Sequence, residues 1–174
     1  VSGPQALAFL NYVSTNDIAK ANVGQAIYTF FCQPDGGVVD DVIIYRIEEN
    51  AYLIVLNASN AEKDLAWMNQ QKGNFDCSIE DVSSEWALLA LQGPKTFAIL
   101  EELFVSKAVF DLPRFGVMRS PLGFVDEAKF GPRAAASTWI ARTGYTGEDG
   151  VEIFCPASWV EAVAELILKT GEKH

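Results

Sequence analysis

Two β-prone segments separated by four turn residues limit the fold more than any other pattern in the chain. Residues 25–33 are rich in Ile, Phe, Tyr and Thr, and residues 38–47 are rich in Val and Ile. The four residues between them, 34–37, have the sequence PDGG, which favours a tight turn. The pattern predicts a β-hairpin over residues 25–47.

Helix-like and strand-like segments alternate along the rest of the chain. Ser59 and Glu62 have the spacing of a capping box, which predicts that a helix starts beside them. That helix is expected to bury Leu65 and Met68 and to stop by Gly73. The other predicted helices cover residues 4–14, 94–104 and 158–169, and the other predicted strands cover 51–56, 75–79, 86–91, 138–142 and 151–154.

The order of these segments predicts the fold class. A strand is followed by a helix three times, and this order is mixed with a hairpin, so we expect both parallel and antiparallel pairing. The prediction is an α+β fold with mixed, largely antiparallel sheets packed with helices. Pro4 is expected at the first position of its helix, Gly171 just after the last helix, and 112–136 in a long irregular excursion.

Charge and histidine content exclude several classes of function. Lys and Arg total 13 against 23 Asp and Glu, and the net charge of -10 has the wrong sign for neutralising nucleic-acid phosphates. No apolar run approaches the roughly 18–20 residues that span a bilayer. The one histidine, His174, is expected to be frayed, so a Ser-His-Asp triad or a two-histidine zinc site lacks its imidazole. We predict no nucleic acid, no membrane and no metal as partners.

The acidic pair Asp40 and Asp41 lies inside the second predicted strand. Side chains alternate along a strand, so Asp40 shares a face with Val42 while Asp41 shares the other face with Ile43. Whichever face is buried, one carboxylate lies among aliphatic side chains, where desolvation would raise its pKa. The alternative is that a bulge or a nearby turn aims both carboxylates at water or at backbone N–H groups.

A glycine-rich segment, 142–152, is the second candidate feature. Its glycines allow close approach to a ligand, Tyr145 offers a ring and a hydroxyl, and Glu152 begins a strand beside apolar neighbours. The alternative is a hairpin loop with a solvated acidic tip. Asn57 can equally be a turn former, and Tyr28 and Tyr45 can equally be core aromatics.

Four motifs in one order resemble those of the glycine cleavage system T-protein, or aminomethyltransferase, family. They are GGVVDD at 36–41, LNA at 56–58 followed by EKD at 62–64, LQGP at 91–94, and RTGYTGE at 142–148. The resemblance extends over most of the chain. It implies a folate-binding core over residues 1–174, with two closely packed subdomains at about 1–73 and 74–174.

The resemblance also implies a reaction and a set of site residues. The family transfers a one-carbon unit from aminomethyl-lipoyl H-protein to tetrahydrofolate and releases ammonia, in the bacterial cytoplasm or the mitochondrial matrix. By position Asp40 corresponds to the catalytic aspartate, and Glu152 would bind the N–H edge of the pterin. Tyr145, Asn57 and Tyr28 would line or support the folate pocket.

The resemblance leaves three alternatives open. The family has a further N-terminal segment and a C-terminal β-rich domain without counterpart here, so we expect the chain to be a fragment that is inactive alone. It could also be the folate domain of a dimethylglycine or sarcosine dehydrogenase-like enzyme or of a demethylase. A non-catalytic module that binds folate or a partner protein is the alternative of a different class.

Overall fold

The computed structural model describes residues 1–103, 106–120 and 138–174. The chain divides into two compact units, Val1–Asp81 and Val82–His174, called here the first and second units. Residues 74–81 belong to the first unit, where Ser78 exchanges two backbone hydrogen bonds with Ser2, at 2.7 and 3.0 Å.

The first unit is a three-stranded antiparallel sheet with two helices. The strands pair in the order β1-β2-β3. Their bounds are β1 Gln25–Cys32, β2 Val38–Glu48 and β3 Ala51–Val55, and the helices are α1 Ala6–Val13 and α2 Ala61–Lys72. The predicted hairpin is confirmed as β1 and β2. Both helices supply its hydrophobic core, with Phe9 and Leu10 from α1 and Met68 from α2.

A register shift interrupts the pairing of β1 and β2 just before the acidic pair. Phe31 lies opposite Asp40 and Cys32 lies opposite Val38, so Val39 has no residue opposite it and forms a bulge. Beyond the shift the strand is regular, and alternation places Asp40 on the same face as the buried side chains of Val42 and Ile44.

The second unit is a four-stranded antiparallel sheet with two helices. The strands pair in the order β4-β7-β6-β5. Their bounds are β4 Trp86–Gln92, β5 Val117–Arg119, β6 Trp139–Ala141 and β7 Gly150–Pro156, and the helices are α3 Thr96–Leu103 and α4 Val160–Gly171. Strand β7 is central, and its Val151, Ile153 and Cys155 share a core with Leu100 and Val163 of the helices.

The α+β class is confirmed, and several details differ from the sequence-based expectations. All strand pairs within the described ranges are antiparallel, so the expected parallel pairing is wrong for that part of the chain. Helix α1 begins at Ala6, after a turn that contains Pro4, and Gly171 is the last residue of α4 rather than the residue after it. His174 is not frayed, because its Nε2 lies 3.3 Å from Glu102 Oε1.

Residues 75–79 are not a strand. Their alternation arises because Phe75 packs against Phe9 of α1, with ring centroids 5.7 Å apart, and because Cys77 is buried in the same core. Within the expected irregular stretch, Val117–Arg119 pairs with β6 as β5. Most of that stretch, 121–136, and the predicted helical residue Phe104 lie outside the described residues.

Candidate functional site

Asp40 is a buried carboxylate held by amide donors. Its side chain is 5% exposed. Its Oδ1 accepts hydrogen bonds from Asn60 Nδ2 at 2.7 Å and from Asn57 Nδ2 at 3.0 Å, and its Oδ2 accepts one from the Asn57 backbone N–H at 3.3 Å. These donors compensate for the loss of water around the charge.

The expected upward shift of the Asp40 pKa is wrong. Burial raises the pKa of Asp40, but the neighbouring Asp64 carboxyl group and the hydrogen bonds from Asn57 and Asn60 together lower it by more, so the net shift is downward. The direction follows from hydrogen bonding to the charged form, which favours ionisation. Asp40 is therefore an ionised acceptor at neutral pH.

The turn between β3 and α2 presents both amides to Asp40. Asn57 follows β3, and the Asn60 N–H donates to the Asn57 carbonyl at 2.8 Å, which closes the turn. Asn60 occupies the N-cap position of α2, yet its side chain makes no capping hydrogen bond. The predicted capping box of Ser59 and Glu62 is therefore wrong, because the helix starts one residue later and the N-cap amide donates to Asp40 instead.

Asp41 lies on the opposite face of β2 and connects Tyr28 to Asn57 by hydrogen bonds. Tyr28 Oη donates to Asp41 Oδ2 at 3.0 Å, and Asn57 Nδ2 donates to Asp41 Oδ1 at 3.2 Å. Tyr28 is 43% exposed, so it is not a core aromatic, whereas Tyr45 is fully buried. The alternative that aims both carboxylates at water or at backbone N–H groups is wrong for Asp40 as regards water, because its side chain is buried, but Asp40 does accept from one backbone N–H, that of Asn57.

Asp64 and Lys63 complete what we call the Asp40 cluster, which comprises Asp40, Asn57, Asn60, Lys63 and Asp64. Asp64 is 0% exposed, and its carboxyl group faces that of Asp40. Lys63 Nζ lies 3.5 Å from Asp64 Oδ1 and donates to the carbonyl of the bulged Val39 at 2.5 Å. Burial and the Asp40 carboxylate raise the pKa of Asp64 to about 6, against the opposing effect of Lys63.

Sequence reasoning missed the roles of Asn60, Lys63 and Asp64. One signal was available for Asp64, because it precedes Met68 by four residues and the two therefore share a helix face. Asp64 and Met68 are the two buried residues of α2. No local signal pointed to Asn60, whose side chain is equally suited to capping a helix.

Glu152 is the buried carboxylate of the second unit. It lies in β7 between Val151 and Ile153 and is 7% exposed. The Thr143 hydroxyl donates a hydrogen bond to Glu152 Oε2. A carboxylate in the middle of a buried strand is costly unless it is partnered, and Thr143 supplies such a partner.

The glycine-rich segment is fixed against β4 by Gln92. Gln92 Nε2 donates to the carbonyls of Thr143 at 3.1 Å and Val151 at 3.0 Å, and its Oε1 accepts from Thr146 Oγ1 at 3.3 Å. A Cβ atom at Gly144 would lie 2.4 Å from Gln92 Oε1, so this contact requires glycine. The motifs LQGP and RTGYTGE thus form one local structure.

Arg142 closes the base of the same segment. Its Nε and Nη2 donate to the two carboxylate oxygens of Asp149 at 3.2 and 2.6 Å, and its Nη1 donates to the Leu112 carbonyl at 2.9 Å. The guanidinium also lies over the Phe97 ring, 5.0 Å from its centroid. The segment is therefore a tied loop, and it also fits the alternative of a hairpin loop with a solvated acidic tip, because it joins the antiparallel strands β6 and β7 and exposes Glu148 and Asp149.

The structure gathers three of the five predicted site residues. Asp40, Asn57 and Tyr28 form one hydrogen-bonded group with Asp41 in the first unit. Glu152 and Tyr145 belong to the second unit, where Tyr145 is 96% exposed at the tip of the tied loop. In the described parts of the chain, no cluster of His, Cys, Asp or Glu could hold a metal ion, and no helix is long and apolar enough to cross a bilayer.

Comparison with known proteins identifies relatives along the whole chain. The family described as GCVT N-terminal domain matches residues 1–174. An aminomethyltransferase of Bacillus subtilis is 44% identical over 174 residues, covering 100% of this chain and 45% of that protein. An aminomethyltransferase of Chlorobaculum parvum is 42% identical over 173 residues, covering 99% of this chain and 44% of that protein. The chain thus spans less than half the length of these relatives.

Solved structures share the fold. The crystal structure of the glycine cleavage system aminomethyltransferase T from Bartonella henselae superposes with a TM-score of 0.78 at 31% identity, covering 96% of this chain and 41% of that chain. A heterotetrameric sarcosine oxidase from Corynebacterium has a TM-score of 0.67 at 15% identity, covering 99% of this chain and 76% of that chain. The latter likeness concerns the fold alone.

Proposed function

Because the chain belongs to the family of the GCVT N-terminal domain, we propose that it is the folate-binding core of a glycine cleavage aminomethyltransferase. The enzyme would take an aminomethyl group from the lipoyl arm of the H-protein, release ammonia and pass the one-carbon unit to tetrahydrofolate. Its partners would be lipoylated H-protein and folate, in the bacterial cytoplasm or the mitochondrial matrix. The support is the 42–44% identity to aminomethyltransferases along the whole chain.

Asp40 is the proposed catalytic residue. Tetrahydrofolate, when bound, supplies the nucleophilic nitrogen N5 that takes up the one-carbon unit. The ionised Asp40 orients that nitrogen and stabilises positive charge that develops on it, because a fixed carboxylate in a water-poor site interacts strongly with a nearby charge.

The remaining residues are proposed to bind and position the folate. Glu152 can accept two adjacent N–H groups, which matches the donor edge of a pterin ring. Tyr145 offers an exposed ring and hydroxyl for contact with the ligand. Asn57 positions Asp40 by a direct hydrogen bond. Tyr28 acts indirectly, because it donates to Asp41, which in turn accepts from Asn57.

One observation carries this proposal. The aspartate that the family motif marks as catalytic is buried at 5% exposure, and it is held in its ionised form by amide donors. A buried aspartate kept for packing alone would be an expensive replacement for an aliphatic residue in this core. A role in binding a ligand explains why an aspartate occupies this position beside Val42 and Ile44.

A chimera tests the transferase activity. Residues 1–174 would replace the matched segment of the Bacillus subtilis aminomethyltransferase, and formation of methylene-tetrahydrofolate from aminomethyl-lipoyl H-protein would be measured. We expect an active chimera in which Asp40→Asn lowers kcat by at least about 100-fold. The matched control is Asp76→Asn, at an exposed aspartate of the first unit, and it should retain full activity. A folded chimera that is indifferent to Asp40→Asn would contradict the proposal and favour a non-catalytic module.

A further inference from the structure

The two carboxyl groups of the Asp40 cluster have different surroundings. Asp40 accepts hydrogen bonds from Asn57 and Asn60, as described above. Asp64 is completely buried, and among the described residues no donor gives a hydrogen bond to either of its oxygens. Lys63 Nζ approaches Asp64 Oδ1 to 3.5 Å, but it donates to the Val39 carbonyl.

Two facing carboxyl groups attract each other only when one of them carries a proton. If both are ionised, each is an acceptor and the like charges repel. If one is protonated, its O–H donates a short, charge-assisted hydrogen bond to the other. The amide donors around Asp40 favour the charged form there, so the proton belongs on Asp64.

We propose that Asp64 is a positioning residue of the candidate site, whose protonated carboxyl group donates a hydrogen bond to the Asp40 carboxylate. The relevance of this bond to catalysis rests on the proposed function of Asp40, whereas the bond itself does not. The O–H of Asp64 and the amides of Asn57 and Asn60 together restrict the rotation of the Asp40 carboxylate. The orientation of that carboxylate toward a ligand is then set before the ligand arrives.

The charged groups that act on Asp64 come from two elements. Asp40 on β2 favours the protonated form of Asp64, and Lys63 on α2 favours the ionised form. Lys63 is half-exposed and is also bonded to Val39, so its charge is partly screened by water. The burial of Asp64 and the Asp40 charge therefore outweigh it.

NMR of the aspartate carboxyl carbons in the 174-residue chain tests the bond directly. In the unmodified chain we expect Asp64 to titrate near the value of about 6, and Asp40 to titrate below the usual range of an aspartate. In Asp64→Asn, an amide N–H replaces the carboxyl O–H, so the titration near 6 disappears and the Asp40 pKa stays low. In Asp64→Leu the donor is lost, and the pKa of Asp40 should rise by about 1 unit, or tenfold in proton affinity.

Two results would overturn the proposal. One is titration of Asp64 near the ordinary aspartate value. The other is a pKa of Asp40 that is the same in Asp64→Asn and Asp64→Leu, because a merely structural Asp64 would not distinguish donor from non-donor. If Asp64→Leu does not fold, a rise of the Asp40 pKa in Asp64→Asn would contradict the proposal instead. The control Asp76→Asn should leave both titrations unchanged.

The NMR result is separate from the test of the proposed function. These titrations need no folate and no H-protein, so a chimera that lacks transferase activity does not affect them. Conversely, an active chimera whose Asp64 titrates normally would support the transferase and refute the role of Asp64.

Discussion

At the scale of single residues, two buried aspartates of the same cluster differ in charge because their donors differ. Asp40 has the amides of Asn57 and Asn60, which favour its ionised form. Asp64 is buried without such donors, and its pKa is raised to about 6. Burial alone therefore does not determine the charge of a carboxyl group in this fold.

The raised pKa of Asp64 predicts how stability depends on pH. The folded chain binds the Asp64 proton more tightly than the unfolded chain does, so this group's contribution is fully present below about pH 4. It is lost as the pH rises through about 6. Relative to Asp64→Asn, the free energy of unfolding of the unmodified chain should therefore fall by about 2 kcal/mol between pH 4 and 7.

Urea denaturation at several pH values measures this difference. The control is Asp76→Asn, whose difference from the unmodified chain should stay constant, because Asp76 is exposed. Parallel stability curves for Asp64→Asn and the unmodified chain would mean that the pKa of Asp64 is the same in the folded and unfolded states, which contradicts the raised pKa.

At the scale of elements, the start of α2 is fixed by a long-range contact rather than by a local cap. The Asn60 side chain occupies the N-cap position but donates to Asp40, a residue 20 positions earlier. Asp17, by contrast, caps a short 3-10 helix at 18–20 by accepting from the Ala19 N–H at 3.1 Å. Residues of the capping type thus serve two different purposes in this chain.

Two alanine substitutions at this helix start should differ in their effect. Asn60→Ala removes a donor from a buried carboxylate and should lower the free energy of unfolding by about 1–3 kcal/mol. Ser59→Ala removes a side chain that makes no cap and should change it by less than about 0.5 kcal/mol. Thermal or urea denaturation gives both values. A larger loss of stability in Ser59→Ala than in Asn60→Ala would contradict this interpretation and support the capping box.

The pairing of β4 with β7 requires glycine at position 150. A Cβ atom there would lie 2.6 Å from the Leu91 carbonyl oxygen and 2.7 Å from Gln92 Cα, both in the backbone of β4. Because backbone cannot rotate away as a side chain can, Gly150→Ala should destabilise the chain by about 1–3 kcal/mol.

The matched control for this substitution lies in α4. A Cβ atom at Gly171 would make an ordinary 3.5 Å contact with Ile99 Cδ1, and alanine favours a helix by up to about 1 kcal/mol. Gly171→Ala should therefore be neutral or stabilising. If both substitutions destabilise the chain equally, the close approach of β4 to Gly150 is not the cause of the destabilisation.

The sequence predicted the elements whose signals are local. The hairpin followed from two β-prone runs and the turn between them, and α4 from its helical periodicity. The prediction of a strand at 75–79 was wrong because the apolar side chain of Phe75 packs on α1 instead of belonging to a sheet. In the site, Asp40 was found from its unusual apolar neighbours, whereas Asn60 acts through a contact that no local pattern encodes.

At the scale of the whole molecule, each unit has a hydrophobic core of its own. Phe9, Leu10 and Ile44 belong to the core of the first unit, and Leu100 and Ile153 belong to that of the second. The residues that are proposed to contact or support folate are distributed along the chain. Asp40 and Asn57 belong to the first unit, and Glu152 and Tyr145 belong to the second. A binding experiment on the intact chain therefore includes every residue that is proposed to contact folate.

Calorimetric titration of tetrahydrofolate into the 174-residue chain, under reducing conditions, tests the central claim most directly. We expect saturable binding that Glu152→Gln weakens at least about tenfold, since a bidentate carboxylate acceptor is lost. Glu161→Gln, at an exposed glutamate of α4, is the matched control and should bind like the unmodified chain. A chain that is folded by circular dichroism and binds no tetrahydrofolate, or binds it equally well after Glu152→Gln, would contradict the folate site proposed here.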